Sequence, residues 1–128
     1  MIFDSDILIW YVRGDSEAAA WLDASAERAM SVVTWMEVLQ GTRSKADMKS
    51  VQQSFRNLQL RVLPLTETIG QRAAALIEEH TLASGLQVAD ALIAATAIES
   101  GEVLATSNIR HFDSIRHLAL KPFRPRRG

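Results

Sequence analysis

Asp4, Glu37 and Asp90 come from three distant parts of the chain, and each stands where an apolar segment begins or ends. Carboxylates gathered from such places repel one another, and apolar surroundings sharpen the repulsion unless a cation lies between them. The chemistry this suggests is an oxygen-ligated divalent ion. The sequence has no cysteine and no paired histidines at zinc spacing, which leaves Mg2+ as the natural ion and Mn2+ as its substitute. Such ions keep several waters and serve phosphoryl chemistry, activating a water and neutralising charge on the phosphate. Each acid also has a purely structural explanation. Asp4 can start a helix, Thr34-Trp35-Met36-Glu37 fits a capping box in which Glu37 bonds back to Thr34, and Asp90 in a first helical turn meets the helix dipole favourably.

For the acids to meet, the elements that carry them must end on one edge of a common scaffold. Ile2-Phe3 and the apolar run from Ile7 to Val12 read as a buried strand leading into a first helix that Gly14 closes. Asp15 and Ser16 cap a helix from Glu17 to Arg28, and Met30 to Val33 reads as a second strand. Helices follow from Thr34 to Gln40 and from about Ser44 to Leu58, and then a strand from Arg61 to Leu65 whose Pro64 suits an end or an edge. Thr66 caps a long helix with Ile69, Ala73, Leu76, Ile77 and His80 at helical spacing, and Leu82 to Val88 is the loop around Gly85. The helix from Ala89 to Ser100 is apolar on nearly every side and must be central. Val103 to Thr106 is a strand, and Leu118 to Leu120 is a short final one.

Strands alternating with helices predict an α/β fold with a mostly parallel sheet covered on both faces. Ligands of such sheets sit outside the carboxyl ends of the strands. Asp4, the segment Thr34 to Glu37 and the segment Thr106 to Asn108 all face that edge, and Asp90 opens the buried helix at the same rim.

A chain of 128 residues fits one domain. The absence of cysteine fits a reducing compartment, and no stretch approaches the roughly 20 apolar residues of a membrane span, so the expected location is the cytoplasm. A net charge of −1 excludes a protein that holds nucleic acid mainly by counterion release, so any such contact must be local. The one biased segment lies at the C-terminus, where Arg116, His117, Lys121, Arg124, Arg126 and Arg127 cluster. From about residue 121 it reads as a solvated basic tail.

Taken together, Ile2 to Ile9 with Arg13-Gly14 behind it, Ser31 to Gly41, Ala89 to Ala97 and Thr106 to Phe112 resemble the PIN-domain ribonucleases. They are closer still to the VapC toxins of bacterial toxin-antitoxin pairs. The resemblance covers nearly the whole chain. It implies a three-layer α/β/α fold, a homodimer and Mg2+-dependent endonucleolytic cleavage of RNA. Carried over by position, Asp4, Glu37 and Asp90 take the invariant acidic places as metal ligands and catalytic residues. Asn108 takes the fourth, where an amide replaces an acid and nearby Asp113 is an alternative. Thr106 and Asp6 are implied as residues that hold ligands or waters, and Arg43, Arg110 and His111 as contacts to RNA phosphates. The resemblance further implies an antitoxin that occludes the cleft and, with the toxin, binds operator DNA. Two other readings stand beside it. Phe3-Asp4-Ser5-Asp6 resembles the nucleophile segment of haloacid-dehalogenase-type phosphatases, although the later lysine and Gly-Asp-x-x-x-Asp segment are missing. A catalytically inactive PIN-like module for RNA binding or dimerisation is the second.

Overall fold

Ile2 and Phe3 form the two-residue strand β1 (Ile2–Phe3), and both are fully buried. Side chains alternate across a strand, so the two feed separate cores on opposite faces of the sheet. The same alternation separates Ala29 from Met30 and Leu104 from Ala105, and it is what makes the architecture three-layered.

The computed structural model describes residues 1–126. After β1 the order is α1 (Ser5–Val12), α2 (Ser16–Ala24), β2 (Ala29–Ser31), α3 (Val32–Gln40), α4 (Lys45–Asn57), β3 (Arg61–Leu63) and α5 (Glu67–Ser84). The chain continues with α6 (Val88–Ser100), β4 (Leu104–Thr106), α7 (Ile109–Phe112) and β5 (Leu120–Pro122). The sheet order is β3-β2-β1-β4-β5 and every pairing is parallel, with Ile2 opposite both Ala29 and Leu104. The order reverses at β1, so the crevice between β1 and β4 is the switch point at which ligands of such sheets bind.

One face is covered by α5 and α6. Ala91, Ala94, Ala95 and Ala97 are fully buried in α6, and their small side chains let α5 approach closely with Ile69, Ala73 and Leu76. The other face is covered by α1, α2 and α4 through Ile7, Leu8, Ala18, Leu22, Val51 and Phe55.

Several boundaries differ from the sequence expectation; the loop expected from Leu82 to Val88 is shorter, since α5 runs to Ser84 and α6 starts at Val88. The second strand stops at Ser31, because the Ser31 hydroxyl accepts the Val33 N–H at 3.1 Å and starts α3 there. Helix α2 ends at Ala24 rather than running to Arg28, whose guanidinium turns back to the Leu22 and Leu58 carbonyls. Strand β3 stops at Leu63, just before Pro64. The last strand is displaced to Leu120–Pro122, where Leu120 lies opposite Leu104 and Pro122 opposite Thr106.

Residues 121–126 do not form a solvated tail. Lys121 and Pro122 belong to β5, and the Phe123 N–H bonds the Thr106 carbonyl at 2.9 Å. Phe123 is buried and meets Trp21 edge-on at 5.1 Å, while Lys121 lies 4.6 Å over the same indole. Arg126 donates its backbone N–H to Asp15 at 3.0 Å and its guanidinium to Glu17 at 2.8 Å. One buried aromatic ring is enough to anchor a run that charge alone would leave in water. Arg127 lies outside the described residues.

Candidate active site

Asp4 is the first residue after β1 and the N-cap of α1, so its structural and chemical roles fall on one side chain. One carboxylate oxygen accepts the Ser5 N–H at 2.8 Å, and the other accepts the Thr106 hydroxyl at 2.7 Å. Only 6% of the residue is exposed. Burial, then the nearby charge of Asp6, pushes the carboxyl up from 3.8 to about 7; the Thr106 and Ser5 hydrogen bonds oppose the rise, and Asp90 adds to it.

Glu37 does not cap its helix. Because α3 starts at Val32, Thr34 is an interior, fully buried helical residue and the expected Thr34–Glu37 capping box does not form. Glu37 instead accepts the Ser5 hydroxyl at 2.6 Å, and Ser5 Oγ lies 3.1 Å from Thr34 Oγ1. A serine has one hydroxyl proton; it goes to the carboxylate, and Ser5 accepts from Thr34 in turn. The capping box is found at the other acid. Gln87 is the N-cap of α6, and Asp90 accepts the Gln87 N–H at 3.4 Å.

Asp90 has a closer partner in His111, whose Nδ1 is 3.1 Å from the Asp90 carboxylate and 2.9 Å from the Asn108 side-chain amide. Nδ1 can donate to the acid or accept from the amide, one at a time. Asn108 is the N-cap residue of α7, and its N–H bonds Thr106 Oγ1 at 3.0 Å. Thr106 therefore links Asn108 to Asp4. Asp113 stands at the far end of α7, exposed, so Asn108 is the residue at the rim.

Asp6 accepts the Ile7 N–H at 2.8 Å, and the Ser107 N–H at 2.9 Å together with the Ser107 hydroxyl, which ties α1 to the turn after β4. Arg43 lines a groove of about 500 Å³ with Glu37, Arg13, Asp47 and the apolar Ile9 and Val38. Arg110 lies in a second cleft that starts at Asn108. His111 is held by Asp90 and Asn108 and is partly exposed. Sequence reasoning missed Ser5 and Ser107, small polar residues whose only signal is their position beside Asp4 and Thr106.

The profile of the PIN domain matches residues 1–118. The chain belongs to the PIN-domain family. Ribonuclease VapC10 of Mycobacterium tuberculosis is 34% identical to it over 98% of each chain. Among solved structures, the toxin-antitoxin complex from Klebsiella pneumoniae contains a chain 31% identical, with a TM-score of 0.76, over 95% of this chain and 97% of that one. VapBC2 from Rickettsia felis bound to a DNA fragment from their promoter shares the fold at 22% identity, with a TM-score of 0.82 over 97% of this chain and 100% of that one.

PIN-domain ribonucleases in general depend on a divalent metal. The donors of this PIN domain fit a hard cation, since Asp4, Glu37, Asp90 and Asn108 all offer oxygen. Two further carboxylates also raise the Asp4 carboxyl, a repulsion that a bound cation would offset. Among the described residues no three acidic or imidazole side chains form a ready-made cage, and Glu37 is bonded to Ser5 and Asp90 to His111. No helix among the described residues is long and apolar enough to cross a membrane.

Proposed function

We propose that this chain is an endoribonuclease, the toxin of a type II toxin-antitoxin pair, which hydrolyses RNA phosphodiester bonds at Asp4, Glu37 and Asp90. The observation that carries this reading is Asp4, a carboxyl raised to about 7 by its burial and then by the charges of Asp6 and Asp90, at the switch point of a PIN-domain sheet. Asp4 and Asp90 would hold Mg2+, or Mn2+ in its place, with Glu37 as a third ligand or the group that orients the water. Such an ion would supply charge to polarise the phosphate and to lower the pKa of a bound water.

The residues themselves have definable tasks. Ser5 holds the Glu37 carboxylate toward the crevice, so that it can orient the attacking water and take its proton. The water oxygen bonds to phosphorus, the ester bond to one ribose breaks, and that ribose oxygen takes up a proton. Thr106 fixes Asp4, and His111 fixes Asp90, in the orientations at which each carboxylate presents a free lone pair to the crevice. Asn108 contributes a neutral oxygen where an acid would add further repulsion.

The remainder of the reading concerns partners. A cognate antitoxin occludes the cleft, and the groove beside Glu37 offers it apolar walls edged by Arg13 and Arg43. The toxin acts as a homodimer in the cytoplasm and reaches operator DNA only in complex with the antitoxin. Incubating the purified chain with total RNA, with and without Mg2+, tests the proposal. Metal-dependent fragmentation that disappears in Asp90→Asn is expected. RNA left intact by a folded, metal-loaded protein would make the chain an inactive binding module.

A further inference from the structure

The basic residues beyond β5 are the one feature of the sequence that the proposed chemistry leaves unused. One of them, Arg124, shares a cleft with Asn108. A cleft of about 640 Å³ is lined by Ser107, Asn108, Ile109 and Arg110 on one wall and by Pro122, Phe123, Arg124 and Pro125 on the other. One of its lining residues, Asn108, meets His111 at 2.9 Å, and His111 in turn meets Asp90 at 3.1 Å. The cleft is therefore linked to Asp90 through Asn108 and His111.

Both walls are fixed to one strand end. The Phe123 N–H bonds the Thr106 carbonyl, and the buried Phe123 ring prevents the following residues from swinging away. The Asn108 N–H bonds the hydroxyl of the same Thr106. Arg110 and Arg124 are exposed, and among the described residues neither has an ion-pair partner, unlike Arg126, which is paired with Glu17. Two uncompensated guanidinium groups facing one cleft suit an anion, and their planar donor forks match phosphate oxygens. A protein of net charge −1 gains little from diffuse attraction to nucleic acid, so a local pair of this kind has to carry the contact.

We propose that this cleft is a subsite for the RNA strand on one side of the scissile bond, with Arg110 and Arg124 binding consecutive backbone phosphates. The inference rests on the ribonuclease reading above and extends it to the path of the substrate. The test measures binding of a fluorescent single-stranded RNA of mixed sequence in an Asp90→Asn background, across a salt series. Each phosphate contact in single strands contributes roughly 0.7 to the slope of log affinity against log salt, so Arg110→Gln with Arg124→Gln should lower that slope by about 1.4. Arg124→Lys, which keeps the charge, should restore its share, and Arg116→Gln should change nothing. An unchanged slope in the double variant, with RNA cleavage by the unsubstituted chain intact, would overturn the subsite alone. Loss of antitoxin binding without any change in RNA binding would assign the cleft to a protein partner and also overturn it. No RNA binding by the parent and no cleavage by the unsubstituted chain would remove the nuclease reading and the subsite together.

Discussion

At the scale of single residues, Asp4 sets the energetics of the site. Its carboxyl titrates near 7 in the folded chain and near 3.8 when unfolded. Between those values the folded state holds a proton that the unfolded state has lost. Its stabilising contribution is therefore complete below about pH 4 and is lost as pH rises through 7, an effect of roughly 4 kcal/mol at 1.36 kcal/mol per unit. Asn keeps an acceptor for one of the two donors and removes the charge. Asp4→Asn should accordingly melt higher than the unsubstituted, metal-free protein at pH 8 but not at pH 4, and should not cleave RNA; equal melting differences at both pH values would contradict the titration. Glu37 yields a second prediction. Since it caps nothing, Glu37→Gln should change stability by less than about 1 kcal/mol and still abolish cleavage, as measured by denaturant melts and RNA fragmentation. Ser5→Ala should reduce the rate without abolishing it, and a fully active Glu37→Gln would leave Asp4 and Asp90 as the only working acids. The acids themselves were legible because charge beside an apolar strand is conspicuous. Ser5 was not, since a serine after an aspartate looks like any helix start and its bond to Glu37 spans 32 residues in a fold not yet known.

Elements were legible in kind and less so at their ends. Every helix and strand expected from the pattern is present, because the 3.6-residue period of α5 and the unbroken apolar surface of α6 leave little choice. The parallel order followed from alternation alone. Boundaries depend on single hydrogen bonds that a sequence does not display. Val32 and Val33 favour a strand by propensity, yet the buried Ser31 hydroxyl captures the Val33 N–H and begins the helix two residues before Thr34. That displacement buries Thr34, leaves Glu37 exposed, makes both partners of Ser5 and removes the capping box. Ser31→Ala should cost about 1 kcal/mol, a fall of roughly 4 °C in Tm for a chain of 128 residues, with faster hydrogen exchange at the Val33 amide. Thr34→Ala should leave that amide as slow as before; acceleration there would return the cap to Thr34.

For the whole molecule, the sheet brings Asp4, Glu37, Asp90 and Asn108 to one edge, where the charges of Asp6 and Asp90 bear on the buried Asp4 carboxyl. Burial against apolar cores on both faces holds the edge rigid, so the carboxylates cannot separate to relieve their repulsion. The metal-free chain must bear that cost in stability. A cation bound only by the folded state reverses it, by about 2.7 kcal/mol at a hundred times its dissociation constant. With an unfolding entropy of roughly 2.1 cal/mol/K per residue, 128 residues convert this to a rise of roughly 10 °C in Tm. The rise should be larger at pH 8 than at pH 5, because the ion competes with the proton that Asp4 otherwise retains. It should shrink in Asp4→Asn and in Asp90→Asn alike, since both carboxylates serve one ion. Differential scanning fluorimetry with Mg2+ at the two pH values checks all three statements. A shift that does not depend on pH, or that survives in Asp90→Asn, would place the ion elsewhere and dissolve the single site on which the ribonuclease reading depends.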